Sequence, residues 1–279
     1  MTTTTAPRTI LHCIGNTSLV PLTRIVPANG ARILLKIESE NPTGSMKDRM
    51  ALAMIEAAES DGRLAPGASV VEYTAGSTGV SLSLVCGVKR YPLHIVTSDA
   101  FAQEKLDHMA LLGATLRVLK SDDGRMTEKL TRDMIEAARV ITEETGGFWT
   151  DQLNNRDQLA AYHTMADEIW TQADGDISCF VQGVGTAASL RGIAEGLHAH
   201  DRRVRIVAVE PAESAVLALR LARDEGVFAG TSTGANVIAA LRVAEQLGAD
   251  ATVVTVMCDT GLKYLKSYGS ALEGLARPA

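Results

Sequence analysis

A chain of 279 residues is long enough for one large or two modest domains with cores of their own. With 46% hydrophobic and 22% charged residues it has an ordinary globular composition, and a formal net charge of -6 leaves no basic excess to neutralise nucleic-acid phosphates. Cys13, Cys86, Cys179 and Cys258 show neither CxxC nor Cys/His ligand spacing, which argues for reduced, mostly buried thiols and against a zinc site or disulfide framework.

The opening MTTTTAPRT is polar and lacks the apolar core of a signal peptide. No apolar run approaches the ~20 residues of a membrane span, so a cytoplasmic protein without membrane contact is expected. The chain then alternates β-branched runs with segments of helical periodicity. A strand at 33–38 precedes a helix at 48–59, a strand at 69–73 a helix at 80–88, and a strand at 93–97 a helix at 102–112. A strand at 115–119 is followed by helices at 127–144 and 156–172, a strand at 177–181 by a helix at 187–198, and strands at 205–209 and 252–257 flank a helix at 235–247. This order implies an α/β fold with two open parallel-type sheets flanked by helices, since so many strands exceed one mononucleotide-binding half.

In open parallel sheets ligands gather beyond the carboxyl ends of the strands. Three such loops are small and rich in glycine or hydroxyls: TAGSTG at 74–79, QGVGTAAS at 182–189 and CDTG at 258–261. Each opens a helix, where backbone N–H groups suit anions.

The stretch NPTGSMKDRM at 41–50 poses a different question, because Lys47 stands at a helix start, where the dipole disfavours a cation. A neutral amine, or an imine formed with an aldehyde, is not disfavoured there. By spacing alone Lys47 reads as a solvated lysine; its neighbouring motifs favour an amine that carries a carbonyl cofactor such as pyridoxal 5'-phosphate. GVGTAA at 183–188 has two readings. It matches the G-x-G-x-x-A dinucleotide fingerprint, with Glu210 at the end of the next strand as a ribose acid, and Pro211 suggests a turn there instead. It also reads as a phosphate cradle in which Thr186 and Ser189 add hydroxyl donors.

Seven motifs in order carry a resemblance: IGNTSLVPL at 14–22, NPTGSMKDR at 41–49, EYTAGSTG at 72–79, DQLNN at 151–155, GVGTAAS at 183–189, GTSTGA at 230–235 and CDTGLKYL at 258–265. Along nearly its whole length the chain resembles the cysteine synthase and cystathionine β-synthase family of fold type II pyridoxal-phosphate enzymes, whose architecture is that of the tryptophan synthase β chain. The resemblance implies β-replacement on an O-activated L-serine through an aminoacrylate, with sulfide or another small nucleophile as acceptor. It implies a homodimer, no metal, and a small mobile domain at 36–147 beside a larger domain formed by 1–35 and 148–279.

Carried over residue by residue, the resemblance makes Lys47 the Schiff-base lysine and the base that moves the Cα proton. Gly183, Gly185, Thr186, Ala187, Ala188 and Ser189 would bind the coenzyme phosphate, and Thr260 would offer a hydroxyl to the pyridine nitrogen. Thr74, Ala75, Gly76, Ser77 and Thr78 would grip the substrate carboxylate with help from Gln152, and Ser77 would lie beside the ring hydroxyl.

The chain departs from the family pattern in three places. Ser77 replaces the asparagine of the carboxylate loop. Ala187 and Ala188 replace two glycines, which requires negative φ at both. VEPAESAV at 209–216 runs almost directly into LRLARDEG at 219–226, where relatives carry several dozen residues, which marks either a true shortening or an omitted segment at the 217–218 junction. Alternatives to β-replacement are β-elimination alone, an NAD-dependent oxidoreductase built on GVGTAA and Glu210, and a non-catalytic relative. Asp48 and Arg49 read as a local helix-start pair, and the six histidines show no paired spacing.

Overall fold

The computed structural model describes residues 8–74, 76–210, 215–266 and 268. Its contacts divide the chain into two compact units, one of Met1–Asn16, Asn41–Thr43 and Lys47–Asp151, the other of Thr17–Glu40, Gly44–Met46 and Gln152–Ala279.

In the first unit β3 (Val70–Tyr73), β4 (Leu93–Ser98), β5 (Thr115–Leu119) and β6 (Phe148–Trp149) form a parallel sheet in the order β5-β4-β3-β6. Every residue of the inner strand β3 is buried, whereas the edge strand β5 is largely exposed. Helix α1 (Lys47–Asp61) precedes β3, and α2 (Ser77–Lys89), α3 (Gln103–Leu111) and α4 (Glu128–Thr145) provide the crossovers that parallel strands require. Leu130, Met134, Ala137 and Ala138 of α4 pack on Val71, Tyr73 and Val96. Thr127 caps α4 by accepting the Leu130 N–H at 3.1 Å.

In the second unit the sheet order is β1-β2-β9-β7-β8, built from β1 (Leu19–Pro21), β2 (Arg32–Ile37), β7 (Cys179–Gly183), β8 (Arg205–Val209) and β9 (Thr252–Met257). All pairs are parallel except β1 with β2. The run TVVTVM of β9 is buried throughout, as expected of a strand with neighbours on both sides and helices over its faces. Helix α8 (Thr231–Leu247) packs against β9 and β7, and α5 (Gln158–Gln172) against α6 (Ala188–His200). The last two approach so closely that a Cβ on Gly192 or Gly196 would lie 2.6 Å from Tyr162 Cβ or 2.5 Å from Ala166 Cβ.

Each strand expected from the periodicity is present, displaced by at most two residues. The antiparallel β1 and the two-residue β6 went unread because neither is long enough to express a period of two, and Pro21 suits only a sheet edge. Helices α2 and α8 begin several residues earlier than expected, since their first turns are hydroxyls and glycines without apolar periodicity.

The shortened stretch after β8 holds α7 (Ala215–Arg220) and a π-helical turn, Leu221–Glu225. The 217–218 junction runs through α7, with Leu217 and Ala218 buried; Pro211 lies outside the described residues. The Glu225 carboxylate then accepts three successive amides, from Thr23 (3.0 Å), Arg24 (2.5 Å) and Ile25 (2.9 Å). Burial raises its pKa, but these amides outweigh that and hold it below the usual carboxylate value.

Lys36 of β2 is fully buried, and its ammonium donates to Thr17 O (2.6 Å), Glu168 Oε2 (2.7 Å) and Gln172 Oε1 (2.9 Å), tying β2 to α5. Removing one partner of a buried ion pair strands the other charge, whereas replacing both with apolar groups relieves the desolvation. Glu168→Ala is therefore expected to lower the unfolding free energy by about 3 kcal/mol. The double variant Lys36→Met/Glu168→Leu should recover most of that loss, both read by urea denaturation.

Candidate active site

In the second unit β7 ends at Gly183, whose N–H donates to Asn236 Oδ1 at 2.6 Å. Asn236 Nδ2 donates in turn to Val256 O at 2.8 Å, so one buried amide on α8 clamps the ends of β7 and β9. A Cβ on residue 183 would lie 3.0 Å from Asn236 Oδ1, which accounts for the glycine. The chain then runs through the exposed Gly185 and half-exposed Thr186 to Ala187, the N-cap of α6, which supplies no side-chain cap. The first-turn amides of α6 are thus left for an external acceptor.

Ala187 has φ 64° and ψ −17°, so the expectation of negative φ at both alanines is corrected: Ala188 is helical, but Ala187 is left-handed. An alanine holds that left-handed conformation at a modest steric cost. Ser189 is nearly buried and its Oγ receives a hydrogen bond from Gln182 Nε2 at 2.7 Å.

Where β9 ends, Thr260 N donates to Gly44 O (2.9 Å), and Met46 N donates to Cys258 O (3.0 Å). The turn 44–46 of the NPTGSM stretch is therefore bonded to the loop that carries Thr260. Gly44 adopts φ 71°, and a Cβ there would come within 2.7 Å of Thr260 Cγ2, so only glycine fits. Thr260 Oγ1 accepts the Leu262 N–H at 3.3 Å, which leaves its own hydrogen available to donate. On the same loop Thr233 Oγ1 accepts the Cys258 N–H (3.1 Å) and the Tyr264 hydroxyl donates to Asp259 Oδ2 (2.8 Å). Burial first, and the Asp259 charge second, raise the Tyr264 pKa, so it remains a neutral donor.

Lys47, half-buried, is the first residue of α1 in the first unit. Asp48 beside it is fully buried and accepts from Thr43 N (2.7 Å), Thr43 Oγ1 (2.5 Å) and Ser81 Oγ (2.6 Å). Asp48 is thus more than half of a local charge pair, since it joins the turn before α1 to helix α2. Asn41 Oδ1 accepts the Gly15 N–H at 2.8 Å, connecting the IGNT and NPTG motifs.

Between β3 and α2, Thr74 is buried and its Oγ1 accepts the Gly76 N–H at 3.2 Å. Gly76 has φ 157° and ψ −94°, a conformation L side chains rarely adopt, and Ser77 opens α2 with the buried Thr78 next. Ala75 lies outside the described residues. Gln152, nearly buried, belongs to the second unit, where Gln158 Nε2 donates to its carbonyl at 2.7 Å. Among the described residues no group of three His, Cys, Asp or Glu side chains is arranged to hold a metal ion, and no helix is long and apolar enough to cross a membrane.

Gln182, Asn236, Thr43 and Ser81 were not singled out from the sequence. Their only signal there is polarity at positions that a buried strand end, helix face or turn would otherwise fill with apolar residues.

An uncapped helix start preceded by a glycine-bearing loop suits a phosphate, a hydroxyl with a free hydrogen suits a ring nitrogen, and a lysine amine suits a carbonyl. These residues fit pyridoxal phosphate. The chain belongs to the pyridoxal-phosphate dependent enzyme family, which matches over residues 10–219, and its coenzyme is pyridoxal 5'-phosphate.

Among individual proteins it is similar to cysteine synthase B of Salmonella typhimurium and of Escherichia coli, at 34% identity to each across 93% of this chain and 95% of theirs. The Salmonella alignment runs to 294 positions, more than the 279 residues here, so that relative carries residues this chain lacks. The solved structure of O-ureido-L-serine synthase superposes with a TM-score of 0.88 at 27% identity, covering 99% of this chain and 98% of that one. O-acetyl serine sulfhydrylase isoform 3 from Entamoeba histolytica gives 0.84 at 28% identity, covering 95% of this chain and 92% of that one.

The left-handed backbone at residue 187 yields a direct test. Ala187→Gly should raise the unfolding free energy of the coenzyme-free protein by about 1 kcal/mol, read by urea denaturation, because glycine carries no Cβ penalty at positive φ.

Proposed function

We propose that the protein catalyses β-replacement on an O-activated L-serine, with sulfide as the acceptor. The observation that carries this reading is the neutral hydroxyl of Thr260, whose oxygen is engaged by the Leu262 N–H and whose hydrogen can be given to an acceptor. The cysteine synthase and O-acetyl serine sulfhydrylase relatives support the same chemistry.

When bound, pyridoxal phosphate supplies a carbonyl carbon for amines and a sink for the electron pair at Cα. Thr260 would donate to the ring nitrogen without protonating it, in contrast to a carboxylic acid, and so would keep that sink weak. A weak sink disfavours transamination and racemisation and leaves departure of a β-substituent as the ready outlet. Lys47 would hold the coenzyme through Nζ, and the same atom would serve as the base for the Cα proton. Gly183, Gly185, Thr186, Ala187, Ala188 and Ser189 hold the phosphate through amides and two hydroxyls.

The amides at the start of α2, with the Thr74–Thr78 loop and Gln152, bind the substrate carboxylate. Ser77 is shorter than the amide it replaces in relatives and leaves room for a water beside the coenzyme ring. The protein acts as a cytoplasmic homodimer on small molecules, without nucleic acid.

Purified protein should be yellow, and borohydride should fix the coenzyme on the peptide that contains Lys47. With O-acetylserine and sulfide the product should be cysteine, and Lys47→Ala should reduce turnover by about 10³-fold, the scale of a lost general base. Pyruvate as the main product at saturating sulfide would replace this reading with β-elimination, and undiminished turnover in Lys47→Ala would remove the assignment of the base.

A further inference from the structure

We propose that Gln182 is a positioning residue that fixes the Ser189 hydroxyl as a hydrogen-bond donor toward the coenzyme phosphate. The inference rests on the assignment of 183–189 as the phosphate loop.

Gln182 is the last residue but one of β7 and is fully buried. Its Nε2 donates to Ser189 Oγ at 2.7 Å and lies 3.9 Å from Met46 Sδ. A thioether sulfur accepts but cannot donate, so its position on this side of the amide selects Nε2 over Oε1 there. Gln182 Oε1 is buried without a partner among the described residues, an arrangement native interiors seldom retain. That cost is accepted for an orientation that turns the amide nitrogen toward the serine.

A hydroxyl has one hydrogen and two lone pairs. With one lone pair taken by Gln182, the hydrogen of Ser189 remains to be used. Several helical hydroxyls return theirs to the carbonyl four residues back, Ser83 to Gly79 O (2.7 Å), Thr142 to Ala138 O (2.8 Å) and Thr164 to Ala160 O (3.2 Å), and Ser81 gives its hydrogen to the Asp48 carboxylate (2.6 Å). Ser189 makes no such bond. Its hydrogen is held for a group that only accepts, and a phosphate dianion at the start of α6 is such a group. The reversed amide would draw that hydrogen inward and turn oxygen lone pairs toward the phosphate.

The test measures pyridoxal phosphate binding to the coenzyme-free full-length chain, with the ³¹P NMR shift of the bound phosphate as a second readout. Gln182→Met keeps the volume and removes the donor; it should weaken binding about tenfold, the scale of one charge-assisted hydrogen bond, and move the ³¹P resonance. Ser189→Ala should do the same, and adding Gln182→Met to Ser189→Ala should change neither readout further. Gln182→Glu, which accepts the serine hydrogen and adds a like charge, should weaken binding more than Gln182→Met does.

Circular dichroism of each variant separates loss of fold from loss of affinity. Equal weakening by Gln182→Met with and without Ser189, or wild-type affinity in Gln182→Met, would overturn the role of Gln182 and leave the phosphate loop standing. Wild-type affinity and an unmoved ³¹P resonance in Ser189→Ala would instead remove Ser189 from the phosphate loop, and the proposal with it.

Discussion

The amide of Thr260 donates to the carbonyl of Gly44, and the threonine methyl fills the space that a side chain on residue 44 would need. This contact joins the exit of the innermost strand of one sheet to the turn that ends one residue short of Lys47, the proposed Schiff-base lysine. Because Met46 N also bonds Cys258 O, the turn is held at both ends, and its direction is set before Lys47 begins. A bulkier residue at 44 would have to displace Thr260, whose hydroxyl is the proposed donor to the ring nitrogen.

Around that contact the protein uses buried amides and carboxylates as clamps. Asn236 holds Gly183 and Val256 together, and Asp48 gathers Thr43 and Ser81. Fully bonded polar groups of this kind are directional where apolar packing is not, which suits loops that must present individual atoms to a ligand. The same logic explains the buried Lys36 and the Glu225 carboxylate capping three amides, although these stabilise the frame and not the chemistry.

The chemistry follows from charge. A family of related folds can route a substrate carbanion to several products, and the protonation state of the ring nitrogen is a main selector among them. Under the proposed assignment of Thr260 to that nitrogen, its hydroxyl cannot supply a proton as an acid would, which suits loss of a β-substituent. In the proposed site the departures from the family pattern lie away from that selector: Ser77 opens α2 at the proposed carboxylate loop, and Ala187 is the left-handed N-cap of α6 in the proposed phosphate loop.

Strand and helix alternation was readable because apolar side chains recur with the period of each element, and the loops stood out because glycine and hydroxyl residues interrupt that period. The proposed roles of Lys47, Thr260 and the 183–189 loop come from residue order, since their motifs are local. What only the tertiary structure decided were the long-range partners: Gly44 with Thr260, Asn236 with Gly183 and Val256, Gln182 with Ser189, and Glu225 with the 23–25 amides. It also decided the sign of φ at Ala187 and the helix through 215–220. Periodicity reports which face of an element is buried, but hydrogen bonds between residues remote in sequence and the backbone turn of a single alanine depend on where the folded chain brings its donors and acceptors, and no local pattern encodes that.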